Sequence, residues 1–273
     1  MQVIPVTDVS RGFGSTSRRD TWWVAPLAVF LGLGTFVVYS TWAAFQNAHY
    51  TYGPYLSPFY APVLWASPDN AGGMEHAWFG AKPAWFPALL PFSPALLILP
   101  FPGLFRFTCY YYRGAYYKAF WADPPSCAVG EPRKEYRGEA KFPLLIQNIH
   151  RYALYFALLF IVLLSIDVVQ GFRFNDPVTG HAKFGVGIGS LVLLINVVLI
   201  GGYTLGCHSF RHLVGGVLDT LSRSPARKKT YDCVSCLNRH HPKWAWFSLV
   251  WVGFTDIYIR LCSMGVIHDL RFV

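Results

Sequence analysis

The sequence predicts an all-α membrane protein, a bundle of five transmembrane helices with its N-terminus in the cytoplasm. Three observations carry that prediction. Only 14% of the 273 residues are charged, 53% are hydrophobic and 18% aromatic, where an ordinary soluble domain carries about 25% charge. Mean hydropathy is accordingly positive, at +0.33. Five apolar runs can each cross a bilayer, at residues 22–45, 84–107, 144–170, 184–206 and 244–267; about 20 residues suffice at 1.5 Å per residue. Lysines and arginines also alternate between rich and poor connections. The N-terminal segment with residues 106–143 and 207–243 holds 17 of them, against 5 in residues 46–83, 171–183 and the tail from Arg260. Positive charge gathers on cytoplasmic segments, so the C-terminus lies outside. Because the net charge of +9 is spread over loops and not along one stripe, nucleic acid is excluded as a partner.

Residues 1–20 form a polar cytoplasmic segment, and residues 21–273 form the five-helix domain. The first run has Trp22 and Trp23 at one end and Trp42 and Phe45 at the other, as an interfacial aromatic belt does. It is too long for the apolar core of a signal peptide and is expected to be retained. Residues 46–83, rich in Pro, Gly, Tyr and Trp, are expected to be an external loop with a re-entrant or surface-lying piece. The second run contains Pro87, Pro91, Pro94, Pro100 and Pro102, which remove backbone donors and predict a kinked helix. Residues 109–121 continue it as an amphipathic extension at the interface. The third run opens on LLIQNIHRY, and residues 171–183 are a short turn. The fourth helix is expected to run on through Leu221, followed by a basic loop over residues 222–243 and then the fifth run.

Cysteine and histidine point to the chemistry. Cys109, Cys127, Cys207, Cys233 and Cys236 all fall on the cytoplasmic side of this topology, where thiols stay reduced and ligation is favoured over disulfides. Cys262 lies inside the fifth run and reads as a small buried hydrophobe. His150, His208, His212, His240 and His241 gather at the same face, and none sits mid-span. His208 and His212 are four apart, hence on one helical face. Cys109 and Cys127 with His208 and His212 would supply the two thiolates and two imidazoles of a Rieske-type [2Fe–2S] centre. The same residue types suit a structural zinc site. His150 facing His208 or His212 would suit one haem, and the plain alternative is packing cysteines with solvated histidines. Cys207, His150 and His241 rank second as ligands. So do Cys233 and Cys236, a CxxC spacing set in a polar stretch.

Tyr110, Tyr111, Tyr112, Tyr116, Tyr117, Phe120 and Trp121 form an aromatic run with Arg113 and Lys118. It suits either a quinone pocket, with flat rings for the head group and donors for its oxygens, or an interfacial belt. Arg113, Tyr117, Trp121, His150 and Trp244 are the quinone-binding candidates. Asp256 lies within the fifth run with Arg260 one turn later: an intramembrane carboxylate for proton delivery, or an i,i+4 ion pair that neutralises itself. Gly185, Gly187, Gly189, Gly201, Gly202 and Gly206 point to close helix packing. A transporter would want repeated halves with broken helices at the midplane, and no such repeat is present in the sequence.

TCYYYRGAYYKAFW, PPSCAV, QNIHRY, GCHSFRHLVGG and LNRHH before WAW resemble the membrane anchor of succinate dehydrogenase, respiratory complex II, in the class with a single five-span anchor polypeptide. The likeness covers residues from about 105 to the C-terminus, the N-terminal third adding little. It implies a multi-pass subunit of a bacterial inner membrane with no catalytic activity alone. It also implies flavoprotein and iron–sulfur subunits as partners, surrounding membrane lipid, and a bound menaquinone or ubiquinone as electron acceptor. The positions matching the family pattern are Cys109, Cys127, His150, Cys207, His208, His212 and His241. Cys233 and Cys236 fall where family cysteines are not expected. Familiar anchors of this kind use haem b or no cofactor, so cluster ligation rests on the residues alone.

Overall fold

The computed structural model describes residues 20–21, 23–67, 70, 72–87, 92–112, 149–175, 181–216 and 220–272. Cys127, Arg113, Tyr117 and Trp121, and the N-terminal segment up to residue 19, lie outside the described residues. The chain divides into two compact units, residues 1–35 with 106–150 and residues 36–105 with 151–273.

Helix α1 (Val24–Gln46) is mostly apolar and carries no charged residue. It ends where Asn47 takes a left-handed φ of 53°, the conformation in which asparagine commonly closes a helix. The Asn47 amide nitrogen then donates to Ser67 Oγ at 2.5 Å. Beyond it, β1 (Thr51–Tyr52) and β2 (Tyr55–Leu56) form a two-residue antiparallel ladder, and α2 (Gly73–His76) is a single turn. This segment, expected to be an external loop, is ordered, with Tyr50, Tyr55 and Tyr60 fully buried and Tyr50 stacked on Tyr60 at 4.1 Å.

The run at 84–107 is not one helix. Residues 84–87 are non-helical, and among the described residues of this run helix is present as α3 (Pro94–Ile98) and α4 (Pro100–Thr108). Pro94 opens α3, where a missing N–H costs nothing. Pro100 and Pro102 cannot donate to Leu96 and Ile98, so the ladder breaks at Leu99.

Helix α5 (His150–Gln170) leads through a β-hairpin, β3 (Arg173–Asn175) with β4 (Ala182–Phe184), to α6 (Ile188–Leu205). The expected short turn is thus a hairpin, and the fourth helix starts four residues later than the start of the apolar run. It does not run through Leu221 either. The chain breaks at Gly206 and Cys207 and continues as α7 (His208–Gly215), a 3-10 turn at Leu221–Arg223, α8 (Pro225–Arg239) and α9 (His241–Ser263). The basic stretch expected as loop is therefore mostly α8, opened by Ser224 and Pro225.

Helices α6 and α9 form the centre of the second unit and run antiparallel. Gly202, near the end of α6, lies under the Trp244 ring at the start of α9. At the other end the tail returns: Gly187 pairs with Arg271, and Ile188 donates to the Leu270 carbonyl. The Asp269 carboxylate accepts from Tyr55, Tyr258 and the Gly189 N–H at 2.7, 2.7 and 2.9 Å, placing negative charge at the α6 N-terminus. Cys262 is buried in this apolar cluster, as expected. Among the described residues four helices, α1, α5, α6 and α9, are long and apolar enough to cross a membrane.

Candidate functional site

Helix α7 carries the imidazole pair. Cys207 is its extended N-cap residue, and the backbone turns at Gly206, where a Cβ would strike the Gly202 carbonyl and Leu237. Asn238 on α8 donates to the Gly206 carbonyl at 2.8 Å, so α8 fixes the break. At the far end Arg227 binds the carbonyls of Val214 and Gly216, both at 2.5 Å, a cation satisfying the last carbonyls of a helix. Arg211 donates to Ser235 at 3.0 Å and lies 4.9 Å over the Tyr231 ring.

Held this way, His208 and His212 bring their Nε2 atoms to 3.0 Å, with rings 4.4 Å apart and edge-on. Both side chains are exposed. Partial desolvation of the ring, then the charges of His212 and Arg211, push the His208 pKa below its ordinary value. A neutral imidazole, the form that ligates a metal, is thereby favoured. Two ligands at 2.0–2.1 Å from one tetrahedral ion stand about 3.3 Å apart, so the pair fits one metal with little adjustment.

The thiols divide. Cys207 is buried beside this pair in sequence, and Cys233 and Cys236 are exposed on α8. In the first unit Cys109 is buried and follows Thr108, whose Oγ1 is 2.9 Å from His150 Nδ1. His150 is itself buried. Among the described residues no three His, Cys, Asp or Glu side chains converge to hold a metal ion. Cys127, the fourth expected ligand, and Arg113, Tyr117 and Trp121 of the expected quinone pocket lie outside the described residues.

Of the remaining candidates, His241 is buried and stacks on Tyr203 at 4.9 Å and 16°, and Phe105 meets the same tyrosine edge-on at 5.6 Å. Trp244 closes on Gly202, and its buried Nε1 has no hydrogen-bond partner among the described residues. Sequence reasoning missed Tyr203; the signal was its register on α6 beside Gly202, already read as a close-packing glycine, one turn before the GCHSFRH break.

The profile of a family described as the actinobacterial succinate dehydrogenase subunit SdhC matches residues 24–265. The match therefore reaches into the N-terminal third, where the sequence alone showed little likeness. Among solved structures, a chain of the Mycobacterium smegmatis Sdh1 complex in the apo form is similar, with a TM-score of 0.83 and 42% identity over 94% of each chain. No curated protein sequence matches significantly. On both matches the chain belongs to the family of actinobacterial succinate dehydrogenase subunit SdhC, a multi-pass subunit of the bacterial inner membrane within an oxidoreductase complex.

Proposed function

We propose that this chain is the membrane anchor of a succinate:quinone oxidoreductase, on which flavoprotein and iron–sulfur subunits dock, and that electrons leave through it to a membrane quinone. The observation that carries the redox reading is the His208–His212 contact, two Nε2 atoms 3.0 Å apart at the foot of α7. With Cys109 and Cys127 these would hold a Rieske-type [2Fe–2S] centre. Histidine ligation raises such a cluster's potential relative to an all-cysteine one, which suits electron delivery to a quinone. The buried Trp244 Nε1 is a donor without an acceptor among the described residues, and a quinone carbonyl would satisfy it. The chain's own contribution is to keep the imidazoles on one helix face and to shield the thiols from water.

In this reading the chain crosses the membrane five times. Helices α3 and α4 with the residues before them form a broken second crossing, and the lysine and arginine distribution sets the N-terminus in the cytoplasm. The test is the purified complex carrying His208→Ala with His212→Ala. Succinate oxidation by soluble dyes should persist and quinone reduction should disappear. Electron paramagnetic resonance and metal analysis of the unmutated complex separate a reduced Rieske centre, with its low average g, from haem or zinc. Full quinone reduction in the double variant would remove the pair as ligands.

A further inference from the structure

Between α2 and α3 the chain holds large rings out of the protein: Trp78 is 55% exposed, Phe79 65% and Trp85 71%. We propose that residues 78–86 anchor the protein at the bilayer surface, with these rings seated among lipids where the acyl chains meet the headgroups.

The exposed rings stand on a fixed backbone. The main-chain N–H groups of Trp78 and Phe79 donate to the carbonyls of Val63 and Leu64, both at 2.9 Å. Ala66 donates to the Gly80 carbonyl at 2.7 Å and accepts from the Lys82 N–H at 3.1 Å. Val63 and Ala66 are themselves buried, so this stretch is tied to the core while its rings stay uncovered. The half-buried Trp65 ring meets Phe79 at 5.7 Å and Trp85 edge-on at 5.9 Å, which joins the rings into one surface. An apolar surface held out in this way marks a contact.

The level of the rings points to lipid as the occupant. Helix α1 has 23 residues, about 34 Å at 1.5 Å per residue, enough to pass a hydrocarbon core of about 30 Å. With α1 crossing the membrane, the reading on which this assignment rests, its last turn lies at the bilayer boundary, and Trp42 and Phe45 are exposed there. Asn47 follows directly and donates to Ser67 Oγ at 2.5 Å, and the neighbouring Ala66 holds Gly80 and Lys82. A short chain of bonds thus sets residues 78–82 at the level of the α1 C-terminus. Indole rings gather at that level, since an apolar body with one N–H suits a zone half dry and half wet. The Lys82 ammonium lies 5.1 and 5.4 Å from the Phe86 and Phe92 ring centroids, the posture of a lysine whose charge rises from an apolar surface. A protein occupant would have to displace lipid that already surrounds α1 at this height.

The test places the photo-crosslinking amino acid p-benzoylphenylalanine in turn at positions 79, 85 and 38 of the intact complex, in nanodiscs of phosphatidylglycerol and phosphatidylcholine. Val38, exposed near the middle of α1, is the control, and dye-linked succinate oxidation confirms that each complex is assembled. Irradiation joins the benzophenone to a neighbouring C–H bond, and mass spectrometry of the adduct shows which atom was reached. Positions 79 and 85 should give lipid adducts in a yield matching that at position 38, on the glycerol or the first acyl carbons, whereas position 38 reaches deep into the chains. Adducts from 79 and 85 to a second copy or a partner subunit in place of lipid overturn the proposal. An absence of adducts at 79 and 85 while position 38 reacts would mean that the rings face water; that overturns it and leaves the α1 crossing standing. No lipid adduct at any of the three would remove the crossing, and the anchor with it.

Discussion

Arg260 Nε donates to Asp256 Oδ2 at 3.3 Å, one turn apart on α9, and both side chains are shut away from solvent. The carboxylate also accepts from Tyr39 at 2.5 Å and from Ser57. The guanidinium donates to the Ala48 carbonyl at 2.8 Å and lies 5.3 Å over Trp42. The i,i+4 pair read from the sequence is therefore present, and it does more than neutralise itself. It pins the last turns of α1 and the segment after it onto α9.

Removing one member should be far worse than removing both. Asp256→Leu or Arg260→Leu alone strands a buried charge, at a cost of about 3–5 kcal/mol, whereas the double leucine variant should cost less than either single change. Thermal inactivation of the purified complex measures this in a double-variant cycle. Additive losses would show that the two side chains act independently.

The α6 glycines separate by what a methyl group would meet. A Cβ on Gly189 would enter the Tyr55 ring and one on Gly202 the Trp244 ring, while Gly201 faces open space. Gly189→Ala and Gly202→Ala should each destabilise by about 1–3 kcal/mol. Gly201→Ala should stay within about 0.5 kcal/mol of the parent. Melting of the detergent-solubilised complex, followed by intrinsic fluorescence, distinguishes the three.

The same contrast shows what the sequence could and could not reveal. Apolar length identifies α1, α5, α6 and α9, because a lipid-facing helix need satisfy only its own backbone. The glycine pattern announced close packing, but Gly201 and Gly202 read alike until the partner Trp244 is known. The break after α6 depends on Gly206 meeting Leu237 and Asn238, more than thirty residues away. Helix α8 was hidden by its polarity, though Ser224–Pro225 at its start and the Lys228–Asp232 pair at 2.7 Å are local helix signals. At the site, the spacing of His208 and His212 placed them on one helical face, and there they meet. Which thiols join them is a matter of tertiary approach, and spacing carries no information about that.

His76, on α2, offers a check by pH on the segment between α1 and α3. Burial lowers its pKa below the ordinary value, outweighing its contact with the Gly53 carbonyl at 3.3 Å. Between the lowered value and about 6.5 the unfolded chain binds more protons than the folded one, so this group makes stability rise with pH there. The contribution is complete above that window. Melting temperature should fall on acidification through it, and His76→Gln should flatten the slope. An unchanged slope in the variant would mean that His76 is solvated.

The exposed pair Cys233 and Cys236 lies three residues apart on α8, hence on one helical face, a chelating spacing by sequence alone. Yet both thiols face solvent, where a redox centre would be open to water and oxygen, and neither matches a position of the family pattern. Cys109 is buried. Cys233→Ser with Cys236→Ser should therefore leave metal content and quinone reduction unchanged and shift stability by no more than about 0.5 kcal/mol. Cys109→Ser should lose bound metal and quinone reduction together while dye-linked succinate oxidation survives. Metal analysis of the two purified complexes decides the matter: loss of metal from the α8 variant and not from Cys109→Ser would transfer the ligand role to α8.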